Sequence, residues 1–176
     1  SRAGETDIDR FQESALFPGD AVVIAHTSAD GQWLFVVSAR YAAWVMATAI
    51  AEGPRDTVLG YALRTPFRII TGAKPRTVFT REQPALSELQ LDMGVRVPLA
   101  ALPPDQAVNG QHPYTAWTLD LPIRDAAGKL AFAPALLPKT ADSSAAALPL
   151  TRANILRQAF KFLGERYGWG HSYDGR

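Results

Sequence analysis

A chain of 176 residues with 47% hydrophobic side chains is long enough to fold around one core or two small ones, and its formal net charge of +1 at pH 7 excludes the basic surface of a nucleic-acid protein. It has no cysteine, which excludes disulfides and thiolate metal sites, and its three scattered histidines (His26, His112, His171) make no ligand cluster. No metal or other cofactor is expected, and, since no apolar run reaches the ~20 residues that span a bilayer, no membrane span either.

Residues Ser1 to Arg10 are polar and carry no apolar period. From Phe11 the texture changes. Pro18-Gly19-Asp20 reads as a turn, Ala21 to His26 as a strand, Ser28 to Gly31 as a hairpin turn, and Trp33 to Ser38 as the next strand. Trp44-Val45-Met46 follows, then an Ala-rich piece to Glu52 that reads as a short helical turn before Gly53-Pro54. This is the rhythm of a small β-barrel, with Trp33 and Trp44 expected in its core.

The segments Leu-Phe-Pro-Gly-Asp, Val-Val-Ile-Ala-His, Ser-Ala-Asp-Gly-Gln-Trp and Tyr-Ala-Ala-Trp-Val, between Asp9 and Ala51, resemble the bacterial SH3-like domains that precede NlpC-type catalytic domains. Ala43 stands where that family carries glycine. The resemblance implies that Tyr41 helps to close a peptide-binding groove. It also implies that an acidic residue before the first strand holds the free amine of a stem peptide. Glu13 is the candidate, with Asp9 competing for the role. His26, at a strand end, is expected to be structural.

Phe67 to Ile70 opens a second β stretch through Thr77 to Phe79, Leu91 to Gly94, Val95 to Leu99, Tyr114 to Leu121 and Leu130 to Phe132. Its Asp-Met-Gly-Val-Arg-Val-Pro-Leu and Leu-Pro-Ile-Arg-Asp-x-x-Gly-Lys-Leu segments resemble the second SH3-like domain of a subset of these peptidases. Pro134 to Pro149 reads as a connector. Thr151 then caps a helix that places Ile155, Leu156, Ala159, Phe160 and Leu163 on one face expected to be buried, and Gly164 stops it.

The closing run from Leu163-Gly164 to Tyr167-Gly168-Trp169-Gly170 resembles the entry to the NlpC-type catalytic domain, where Tyr-x-Trp-Gly-Gly precedes Asp-Cys-Ser-Gly. His171 replaces the second glycine, and the catalytic cysteine and histidine are expected beyond Arg176. The resemblance places Tyr167 near the thiolate and Trp169 in the pocket wall.

The expected architecture is mainly β: two small bacterial SH3-like barrels followed by the first helix of a papain-like α+β catalytic domain. The boundaries are 1–66, 67–133, a linker at 134–150, and 151–176 for the helix and aromatic loop. The two barrels are expected to be separate, with the Tyr41 ring facing the Tyr167 to Gly170 loop and the helix packed on polypeptide beyond Arg176. The resemblance implies the targeting and groove portion of a peptidoglycan cysteine endopeptidase that cuts γ-D-glutamyl-diamino acid bonds, periplasmic or secreted. Its partners would be the stem peptide and the rest of the catalytic domain. The alternative is a non-catalytic tandem SH3-like module that binds wall peptides or a protein.

Overall fold

The structure, a computed structural model, describes residues 12–165 and is mainly β. Three antiparallel strands, β1 (Val22–Thr27), β2 (Trp33–Ser38) and β3 (Ala42–Met46), form the first sheet in that order. Their hairpins are set by local chemistry. Ser28 Oγ donates to Asp30 Oδ1 at 2.6 Å and accepts from Trp33 N at 2.9 Å, while Gly31 takes a φ of +70° that other residues avoid. A register shift between Ile24 and His26 bends β1.

Strand parity then decides what the first sheet buries. Leu34 and Val36 point to one face and are its buried hydrophobics, whereas Trp33, Phe35 and Val37 alternate to the other. Trp44 pairs opposite Phe35 and Met46 opposite Trp33, which puts both on that second face. The expectation that Trp33 and Trp44 fill a barrel core is therefore corrected: they remain 43% and 47% exposed. Trp44 packs edge-on against His26 at 5.8 Å and tilted against Phe35 at 5.5 Å.

A single 3₁₀ turn at Ala47–Ala49 matches the expected helical turn, and α1 (Arg55–Tyr61) follows Pro54. The second body contains β4 (Phe67–Ile70), β5 (Arg96–Pro98), β6 (Ala116–Arg124), β7 (Leu130–Pro138) and β8 (Ser143–Ser144). Its sheet runs β5-β4-β8, and β6 and β7 form a long two-stranded ribbon across it. Ile70, Leu91, Val97, Leu119, Leu121 and Leu137 are fully shielded in one cluster, which is the core of the molecule. Thr77 to Phe79 is not a strand, although Val78 N donates to the Leu136 carbonyl at 2.8 Å.

The expected linker from 134 to 150 needs revision over its first half. Strand β7 continues to Pro138, and Ser143 and Ser144 pair with Ile70 and Ile69 of β4. The prolines that suggested a connector are tolerated because β7 has β6 as its one ladder partner, so a missing N–H on the other side costs no strand pairing.

Nor are the two β stretches separate. The tip of the β6–β7 hairpin reaches the tail of the first stretch, where Glu52 N donates to the Gly128 carbonyl at 3.0 Å and Leu130 N to the Glu52 carbonyl at 2.7 Å. Lys129 pairs with the Glu52 carboxylate at 2.8 Å, and Arg124 Nε donates to the Ile50 carbonyl at 3.0 Å. Tyr61 pins the same junction from α1. Its ring stacks on Phe132 at 5.4 Å, its hydroxyl donates to the Asp120 carbonyl at 2.9 Å, and it lies so close to Gly19 that a Cβ there would meet the ring at 2.7 Å. Burial, with the Asp120 charge second, holds the Tyr61 phenol well above the usual tyrosine range.

The last described helix, α2 (Arg152–Phe160), is capped as expected, with Thr151 Oγ1 accepting from Asn154 N at 3.2 Å. Its attachment to the body is polar. Gln158 Nε2 and Lys161 Nζ donate to the Thr71 carbonyl, Lys161 also pairs with Asp142, and Lys74 pairs with Glu165. The apolar face is turned away from the body, with Ile155 55%, Phe160 61% and Leu163 74% exposed, so the described residues do not cover it.

Candidate functional site

Beneath and beside the first sheet lies an open cleft of about 1580 Å³, bounded on the opposite side by α1 and the tip of the β6–β7 hairpin. Phe17, Phe35, Trp44, Ile50, Tyr61 and Phe132 supply its aromatic and apolar walls. Glu13, Asp20, Tyr41 and Arg124 supply polar groups. A largely apolar concavity with a few polar groups is the usual form of a ligand site.

Tyr41 is aimed at the cleft by its own turn. Ser38 Oγ accepts from Arg40 N at 3.2 Å and Tyr41 N at 2.9 Å, and donates back to the Tyr41 carbonyl at 2.9 Å, closing a tight loop between β2 and β3. The ring is left exposed, and its hydroxyl donates to Glu13 Oε2. The structure thus brings together Tyr41 and Glu13, 28 residues apart in sequence. Asp9, Tyr167 and Trp169 lie outside the described residues, and so does the loop that Tyr41 was expected to face.

The Glu13 hydrogen bond, with its charge second, raises the Tyr41 phenol above its ordinary value because it stabilises the protonated form. The bonded pair is therefore complete below the usual tyrosine range and is lost as pH rises through the raised value. Glu13→Gln removes the carboxylate, so the Tyr41 phenol of that variant is expected to titrate at lower pH than in the parent. NMR titration of the Tyr41 ring signals checks this; an unchanged midpoint would mean the pair does not form.

One further polar pair at the rim was not anticipated from sequence. Arg40, next to Tyr41, pairs with the Asp20 carboxylate and stands over the Phe17 ring at 5.1 Å. Asp20 Oδ2 also accepts from Phe17 N at 2.8 Å, which fixes the Phe17-Pro18-Gly19-Asp20 turn to the start of β1. The available signal was position, since Arg40 occupies the turn that presents Tyr41. His26 contacts Trp44 on the exposed sheet face, in keeping with a structural role. Among the described residues, no group of histidines and carboxylates could hold a metal ion. No helix among them is long and apolar enough to cross a membrane.

Comparison with known proteins gives this site a setting. Residues 1–46 match the family model described as SH3 domain (SH3b1 type). No curated protein matches the chain. Among solved structures the chain is similar to one described as "Insights into a novel NlpC/P60 Endopeptidase from Photobacterium damselae subsp. piscicida", with a TM-score of 0.69 over 90% of this chain at 19% identity. The chain spans 31% of that protein, under a third of its length. The chain thus carries an SH3b1-type segment at its N-terminus, within a mainly β fold that is similar to part of an NlpC/P60 endopeptidase.

Proposed function

We propose that the chain is the targeting and groove-forming portion of a peptidoglycan hydrolase that cleaves γ-D-glutamyl-diamino acid bonds in wall stem peptides by cysteine acyl transfer. The observation that carries this reading is the Tyr41–Glu13 pair at the rim of the cleft, set in an SH3b1-type segment. A carboxylate with a phenol beside it suits the ammonium end of a short peptide: Glu13 supplies the charge, and Tyr41 holds the carboxylate in place until the amine takes over the bond. The apolar walls then accept the aliphatic part of the peptide.

The chemistry belongs to polypeptide outside this chain, which contains no cysteine. There a thiolate would attack the γ-carbonyl, the amine of the diamino acid would leave with a proton from a histidine, and water would hydrolyse the thioester. Tyr167 and Trp169 are proposed to line that pocket, with residues 151–176 as the first helix and aromatic loop of the catalytic domain. The two β stretches, 1–66 and 67 onward, act as SH3-like domains, and the protein works in the cell envelope, periplasmic or secreted.

The test is hydrolysis of a soluble stem tripeptide by a longer protein that contains this chain. Tyr41→Ala and Glu13→Gln are each expected to raise KM about tenfold, the size of one lost charge-assisted hydrogen bond, while circular dichroism stays unchanged. Wall binding without any cleavage would favour the non-catalytic tandem module instead.

A further inference from the structure

On the second body, away from the cleft, the start of β6, the end of β7 and the central strand β4 bring two cations and two aromatic rings together. The Lys139 ammonium stands 5.4 Å from the Trp117 ring centre and 5.8 Å from that of Tyr114. The Arg68 guanidinium stands over the Trp117 ring at 4.4 Å. His112 lies 6.5 Å from Tyr114 and accepts from Tyr114 N at 3.2 Å, holding the Pro113–Thr115 turn that presents the tyrosine. Tyr114 is 79% exposed, far more than a packed aromatic.

The charges in this patch have not been neutralised. Lys139 Nζ donates to the Tyr114 carbonyl at 2.8 Å, and Arg68 donates to the Ser143 hydroxyl and carbonyl, all neutral acceptors. Among the described residues neither cation forms an ion pair, and Asp142, beside Ser143, is engaged by Lys161. Rings and neutral acceptors fix where the cations sit and leave their charge available to an incoming anion. An open phenol ring flanked by fixed positive charge suits a flat apolar surface with an acidic substituent. A sugar ring has such a surface in its C–H face. The alternative, nucleic acid, calls for a run of cations along successive phosphates, and a net charge of +1 does not supply one.

We propose that the Tyr114, Trp117, Lys139 and Arg68 patch binds a sugar chain bearing carboxylate or phosphate groups. The sugar stacks on Tyr114, and its anion lies against Lys139 and Arg68. Choosing wall glycan as a source rests on the wall-hydrolase reading above. The experiment measures binding alone, so failure of one reading is distinguishable from failure of the other.

The 176-residue chain is titrated calorimetrically with three soluble oligomers of matched length. They are glycan strands stripped of peptide so that their lactyl carboxylates are free, a sugar-phosphate oligomer, and neutral chitin. At least one charged oligomer is expected to bind about tenfold more tightly than chitin, and which of them does so identifies the anion. Tyr114→Ala and Lys139→Gln should each weaken that binding about tenfold at unchanged Tm, Tyr114→Phe should retain it, and Arg152→Gln, a cation outside the patch, should leave it alone. Chitin binding as tightly as the charged oligomers, no binding of either charged oligomer, or affinity indifferent to Tyr114 and Lys139 overturns the proposal.

Discussion

Tyr61→Ala is expected to destabilise the chain by about 3–5 kcal/mol, the usual cost of deleting a large buried aromatic. The ring is 4% exposed and touches every element at the junction: Gly19 at the first turn, Phe132 on β7, and through its hydroxyl the carbonyl of Asp120 on β6. Arg64 adds to the stack, lying 3.9 Å from the Phe132 ring and pairing with the Asp120 carboxylate at 2.7 Å. Removing the ring leaves a cavity where Gly19 cannot fill in. Tyr61→Phe keeps the stacking and strands one carbonyl, so about 1 kcal/mol is expected there. Urea denaturation of the two variants gives both numbers, and equal, small losses would show that the first sheet is held elsewhere.

The second large effect depends on context. In the 176-residue chain, Ile155→Asp and Phe160→Asp should each change stability by no more than about 0.5 kcal/mol, because 55% and 61% of these side chains already meet water. In a longer protein containing the chain, each should cost about 3 kcal/mol or more, since a charge would then enter a packed interface. The reasoning rests on which way α2 faces. Its polar residues Gln158 and Lys161 are committed to Thr71 and Asp142 of the body, so its apolar stripe is the side left for a partner. Paired denaturation curves, short chain against long, decide it; equal costs in the two would mean that no additional domain covers the helix.

Much of this was legible because it is local. Short apolar runs bounded by turn residues wrote out β1 and β2, Ser28 to Gly31 wrote their turn, and Thr151 wrote the start of α2. What escaped was set by partners far along the chain. Seven residues of α1 show no convincing helical period, and Tyr61 holds them through contacts near residues 19, 120 and 132. Pro134 and Pro138 looked like breakers because sequence does not show that β7 is paired on one side only. Trp33 and Trp44 are aromatic strand residues of the kind that usually packs, and only the register against Leu34 and Val36 reveals that they share the uncovered face. At the candidate site, composition offered nothing to link Glu13 with Tyr41. That pairing depends on the Phe17 to Asp20 turn folding back toward the β2–β3 loop, a contact that neither the residues nor the family resemblance named.

The bridge between Glu52 and the β6–β7 tip also bears on the order in which the chain is made. Glu52 leaves the ribosome 77 residues ahead of Lys129, its partner in both backbone and charge. Until that hairpin emerges, the first sheet has just Leu34 and Val36 to hide and lacks one wall of its cleft. Contacts of such long sequence separation form late in folding, because a large loop must close before they give any return. The first sheet is consequently made before the hairpin that completes its cleft, and its Leu34 and Val36 face waits for that closure during the interval.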